Sequence, residues 1–98
     1  MTNLSTMAKD VSKLLIKRGE TVAVSESSSG GLIAAALLAV PGASRYFMGG
    51  GVVYTTAARE VLLNIRFENY PGMRSSSEPY AELAAATVRS RLGTDWGL

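Results

Sequence analysis

Segments with helical and with strand periodicity alternate along this chain, and that alternation restricts it to layered α/β folds. Leu4, Met7, Ala8, Val11, Leu14 and Leu15 recur at the i, i+3, i+4, i+7 spacing of an amphipathic helix. Asn3 or Ser5 can cap its start, and Gly19 stands where a helix-ending glycine belongs. Residues 21–25 are short, β-branched and bounded by Gly19 and a serine cluster, and they read as a strand. Residues 32–39 read as a buried helix stopped by Pro41 and Gly42, with Ala34, Ala35 and Ala36 small enough to pack closely on a sheet. Val52, Val53, Tyr54 and Thr55 read as a second strand behind Gly49, Gly50 and Gly51. Tyr46, Phe47 and Met48 precede those glycines as an apolar patch, suited to core packing or a subunit interface.

Thr55 or Thr56 can cap a short helix over residues 57–63, and residues 64–76 read as loop with at most a turn of helix. Ser77 can cap the last helix, with Glu78 and Pro79 in its first turn. Tyr80, Leu83, Ala84, Thr87 and Val88 form its buried face, and Gly93 ends it. Trp96, Gly97 and Leu98 lead into a further strand. The expectation is a single α/β domain over residues 1–98, whose two strands and a strand start look like the N-terminal portion of a larger layer.

The 98 residues contain no cysteine and no histidine. That removes disulfides, thiolate chemistry, imidazole bases and the ordinary zinc sites, so no metal and no cofactor are expected. The ten basic and eight acidic residues are interspersed and give a net charge of +2, which implies no nucleic-acid partner. Lys9, Lys13 and Lys17 share one helical stripe and read as a solvated face. The longest apolar run, residues 32–40, is far short of the roughly 20 residues a membrane span needs. The first ten residues lack the apolar centre of a signal peptide, so a cytoplasmic protein is expected.

Residues 25–31, a strand end running through serines and glycines into a helix, carry the strongest chemical signal. Amides of a first helical turn and the positive end of its dipole suit an anion, and the glycines let a ligand approach the backbone. Ser27, Ser28 and Ser29 are candidate nucleophiles or hydroxyl donors. No Gly-Lys-Ser/Thr follows, which excludes a Walker-type loop. A loop that merely caps a helix is the plainer alternative.

Ser25-Glu26-Ser27-Ser28-Ser29-Gly30-Gly31-Leu32 resembles the Ala-Glu-Ser-Cys-Thr-Gly-Gly motif of the CinA C-terminal domain family, the nicotinamide-mononucleotide deamidases. Val40-Pro41-Gly42-Ala43-Ser44 is similar to that family's Val-Pro-Gly-Ser-Ser turn. Gly50 to Arg59 resembles its Gly-Val-x-x-Tyr-Ser-Asn-x-x-Lys block, allowing a one-residue shift, and Ser77-Glu78 its Val-Ser-Glu segment. The family's next motif, Ser-Gly-x-x-Gly-Pro, would follow the strand that Trp96 begins.

The resemblance implies a three-layer α/β/α sandwich with a mixed sheet. It implies hydrolysis of the carboxamide of nicotinamide mononucleotide to the nicotinic acid form and ammonia. The partner is then a small pyridine nucleotide, and a homo-oligomer is allowed. The family's serine, tyrosine and lysine fall on Ser27, Tyr54 and Arg59 as the catalytic group, with Arg59 in place of lysine. Glu26, Ser28, Ser29, Gly30, Gly31 and Thr55 are the expected substrate-binding residues. Glu26 is equally suited to holding the loop in shape, and Thr55 to capping a helix.

Amide hydrolysis requires a nucleophile, a proton acceptor, an oxyanion hole and a proton for ammonia. Ser27 is placed for attack, and amides around Gly30 are candidates for the oxyanion hole. Arg59 stays charged and cannot take a proton, so Tyr54 as a tyrosinate beside Arg59 is the expected base. If it fails, the chain binds a nucleotide without turning it over, or is a truncated product without activity.

Overall fold

A computed structural model describes residues 3–98. Met1 and Thr2, part of the polar N-terminal stretch and of the expected 1–98 domain, lie outside the described residues. Four helices and three strands follow in the order α1 (Leu4–Arg18), β1 (Val22–Glu26), α2 (Leu32–Leu38), β2 (Phe47–Val52), α3 (Thr56–Leu63), α4 (Glu78–Leu92) and β3 (Trp96–Gly97). Short 3-10 turns at Ala43–Arg45 and Phe67–Asn69 interrupt the connections. The sheet runs β2-β1-β3, so β1 is central, and both of its pairings are parallel. The resemblance implies a mixed sheet; these three strands are parallel throughout.

The side chains of β1 explain the layering. Val22 and Val24 point to one face, where they meet Ala8 and Leu15 of α1 and Leu37 of α2. Ala23 points to the other face and meets Leu63 of α3 and Ala84 and Val88 of α4. A parallel strand buried on both faces has this apolar, non-alternating character. The result is helices on both sides of the sheet, the three-layer arrangement expected.

The second strand lies earlier than its β-branched residues suggest. It runs over Phe47–Val52 and contains all three glycines, whereas Tyr54 and Thr55 lie beyond it. Gly50 shows why the glycines belong to it: a Cβ there would stand 2.1 Å from the Val24 carbonyl oxygen of β1. The apolar patch before the glycines divides accordingly. Tyr46 is fully buried, with its hydroxyl donating to the Leu37 carbonyl and 2.8 Å from Ser12 Oγ, while Met48 is exposed. Tyr46 thereby ties α1 to α2 through a polar contact that hydrophobic periodicity does not register.

The caps follow the sequence closely. Asn3 Oδ1 accepts from the Thr6 amide at 2.8 Å, Thr55 Oγ1 from the Ala58 amide at 3.1 Å, and Ser77 Oγ from the Tyr80 amide at 3.4 Å. Gly19 and Gly93 end α1 and α4. Among the described residues no helix is long and apolar enough to cross a membrane.

Candidate functional site

The helix after β1 packs on one face of the sheet and the helix after the neighbouring β2 on the other. Connections that diverge in this way leave a crevice at the carboxyl ends of the strands, where ligands bind in open α/β sheets. A cavity of about 250 Å³ lies there. Ser27 and Ser28 line it from the β1–α2 loop, Ser75 and Ser77 from the approach to α4, Tyr80 from the first turn of α4, and Val53 and Leu98 from the ends of the other strands. Both serine runs of the sequence, 27–29 and 75–77, contribute to this one cavity.

Glu26 determines the shape of the loop. It is the last residue of the central strand and only 4% exposed. Its carboxylate folds over the start of α2 and accepts from the Ile33 amide at 3.0 Å and the Ala34 amide at 2.9 Å. Ser29 Oγ donates to it as well, at 2.8 Å. Burial pushes this carboxyl up, but the hydrogen bonds from Ala34, Ile33, Ser29 and Gly31 outweigh burial and hold it below its ordinary value. The anion site expected at this helix start is therefore filled by the chain's own carboxylate. The polar atoms of Glu26 and Ser29, expected from the sequence to bind substrate, hold the loop, and both residues also line the cavity.

Gly30 and Gly31 shape the turn that follows. Gly30 and Gly31 adopt φ values of +65° and +99°, which side-chain-bearing residues rarely reach. Neither lines the cavity. The Gly30 amide donates to the Ser27 carbonyl at 3.1 Å and is not available to an oxyanion, and Gly31 turns its amide to Glu26. The amides of Ser28 and Ser29 remain as candidates for that role. Ser27 and Ser28 are the exposed serines of the loop, and Ser27 follows the end of β1 directly.

Tyr54 and Arg59 do not join Ser27 in the cavity lining. Tyr54 is 74% exposed and sits between the end of β2 and the cap of α3. Thr55 is that cap, which engages the hydroxyl expected to meet substrate. Arg59 is buried, 9% exposed, with its guanidinium carbon 3.6 Å from the Phe67 ring centroid and 5.8 Å from that of Tyr80. Its Nη2 donates to Thr56 Oγ1 at 3.3 Å, and its Nε has no partner. Arg59 thus packs against Phe67 and within reach of the Tyr80 ring. Sequence reasoning placed Tyr80 on the buried face of α4 and Ser77 in a cap without assigning either to the site. The second serine run was the signal available.

A family model described as the CinA C-terminal domain matches residues 4–98. The chain belongs to the CinA C-terminal domain family. It is 43% identical over 93 residues to a CinA-like protein of Gloeobacter violaceus and 45% identical over 93 residues to one of Synechocystis. Each alignment covers 95% of this chain and 22% of the relative. The fold matches the competence damage-inducible protein A of Klebsiella pneumoniae with a TM-score of 0.87 at 26% identity, over 96% of this chain and 58% of that one. It matches the competence/damage inducible protein CihA of Agrobacterium tumefaciens with a TM-score of 0.86 at 26% identity, over 97% and 58%. The chain therefore spans about a fifth of these relatives and under three-fifths of these CinA-family structures.

Proposed function

We propose that this CinA-family chain is an amidohydrolase acting on the carboxamide of a pyridine nucleotide, with Ser27 as nucleophile. The observation that carries the reading is the cavity at the carboxyl end of the sheet, in which Ser27 is exposed on a loop locked by Glu26. A serine on a loop fixed at both ends is held ready for attack, because orientation is supplied before the substrate arrives. The cavity wall combines serine hydroxyls with the apolar side chains of Ile33, Val53 and Leu98, a lining suited to a flat, uncharged ring bearing an amide.

The reaction balances without a metal or cofactor. Ser27 Oγ forms a bond to the carboxamide carbon, the C–N bond breaks, and the nitrogen leaves as ammonia with the proton that Ser27 gave up. Water then hydrolyses the ester, returning the proton to Ser27 and releasing the carboxylic acid.

Incubation of the purified chain with nicotinamide mononucleotide should release ammonia, and Ser27→Ala should lower the rate to background. Equal release from both would end this reading. The burial of Arg59 under Phe67 favours a second one, a family member that binds the nucleotide without turnover. In that case Arg59→Lys raises ammonia release from background, whereas efficient turnover by the natural chain excludes it.

A further inference from the structure

The hydrolytic reading leaves one atom-transfer problem open. The proton of Ser27 must reach the leaving nitrogen, and the chain has no histidine to carry it. Its three lysines, Lys9, Lys13 and Lys17, are exposed on α1 and do not line the cavity. Among the residues that do, the ionisable side chains are Glu26 and Tyr80. Glu26 is committed to Ile33, Ala34 and Ser29.

Tyr80 differs. Its ring is clamped edge-on against Phe67, with centroids 5.5 Å apart at 73°, and the Arg59 guanidinium is held against the same pair. Its hydroxyl makes no hydrogen bond among the described residues, although the residue is 8% exposed and lines the cavity with Ser27. Arg59 Nε is the buried side-chain atom without a partner among the described residues, so the Tyr80 hydroxyl is open and free to hydrogen-bond a ligand.

We propose that Tyr80 is the proton relay of the Ser27 reaction and that Arg59 is its positioning residue. The inference rests on the hydrolytic reading of the cavity. The Tyr80 oxygen takes the proton of Ser27 as the Oγ–carbon bond forms, and the proton Tyr80 already carries passes to the leaving nitrogen as the C–N bond breaks. The phenol is neutral before and after. This route requires no tyrosinate, which suits a hydroxyl that burial pushes above its ordinary value while the Arg59 charge offsets part of that rise. The charged group at Tyr80 is Arg59 from α3; Glu26 lines the same cavity with its carboxylate engaged by Ile33, Ala34 and Ser29, and Phe67 carries no charge.

Phenyl acetate provides a test that does not depend on the natural substrate, because acylation of Ser27 requires removal of its proton, which the relay passes on as phenol departs. Acetylation of Ser27 by the whole chain, followed by mass spectrometry, should slow about 100-fold in Tyr80→Phe, the scale of a lost acid–base group. That substitution keeps the ring and its contact with Phe67, and unchanged circular dichroism checks that it folds. Tyr70→Phe, in the loop outside the cavity, should label at the natural rate. In Arg59→Gln the alkaline fall in labelling, where Tyr80 loses the proton it must donate, should move to higher pH, because the charge favouring the phenolate is gone. Unaltered labelling in Tyr80→Phe overturns the inference, as does a loss confined to Tyr54→Phe, an unmoved alkaline limb in Arg59→Gln, or the absence of Ser27 labelling. Retained labelling with no ammonia from nicotinamide mononucleotide counts against the substrate reading alone.

Discussion

Glu26 shows how one carboxylate both builds a site and limits what the site can hold. It supplies the negative charge that the start of α2 favours and takes up the Ile33 and Ala34 amides. Because its folded-state carboxyl lies below the ordinary value, it contributes stability above the unfolded-state value of about 4.3, and that contribution is lost as pH falls through the folded-state value. Glu26→Gln should therefore destabilise the chain by about 1.5–3 kcal/mol near neutral pH, the scale for hydrogen bonds to a charged group. Denaturant titration should show the difference shrinking as the pH drops below the carboxylate range, and a pH-independent difference would contradict this role. Residue types alone singled out the serine–glycine loop, which lines the cavity at the end of the sheet. The engagement of Glu26, Ser29 and Gly30 inside it was not legible, because sequence gives candidate donors and acceptors without saying which find each other. Arg59 was similarly opaque: its partner Phe67 lies in a stretch that reads as loop.

At the scale of elements, helices were read well and β2 was displaced. Helix periodicity and caps are local signals, and Asn3, Ser77, Gly19 and Gly93 hold the places the sequence suggests. A glycine-rich strand has no local signal, since what fixes β2 is its close approach to β1 across the sheet. Gly50→Ala tests this. Its new Cβ would meet backbone of the central strand, which cannot move aside as a flexible side chain would, so a loss of about 1–3 kcal/mol or more is expected. A natural unfolding midpoint for Gly50→Ala would show that the two strands do not pack as described. The buried face of α4 was legible, with Tyr80, Ala84 and Val88 all inside. On α1 only part of the apolar stripe is covered: Ala8 and Leu15 are buried, whereas Leu14 is 59% exposed.

For the whole molecule, the three layers place a serine-lined cavity at one end of the sheet and leave an apolar groove beside β3. Val11, Leu14, Leu15, Val22, Trp96 and Leu98 line that groove, about 320 Å³ in volume. Exposed apolar surface of this kind should bind a hydrophobic fluorescent dye at neutral pH, and Leu14→Lys should reduce the signal without changing the fold. Undiminished dye binding in Leu14→Lys would mean that the groove is not the surface responsible. The proposed reaction places the nucleophile at Ser27, in the cavity at the sheet's carboxyl end. The most direct measurement is to treat the chain with phenyl acetate, quench in acid, and locate the acetyl group by peptide mass spectrometry. A single acetyl on Ser27, absent from the Ser27→Ala chain, is the predicted result; acetylation of Ser28 or Ser29 in its place, or no labelled serine in the loop, would contradict it.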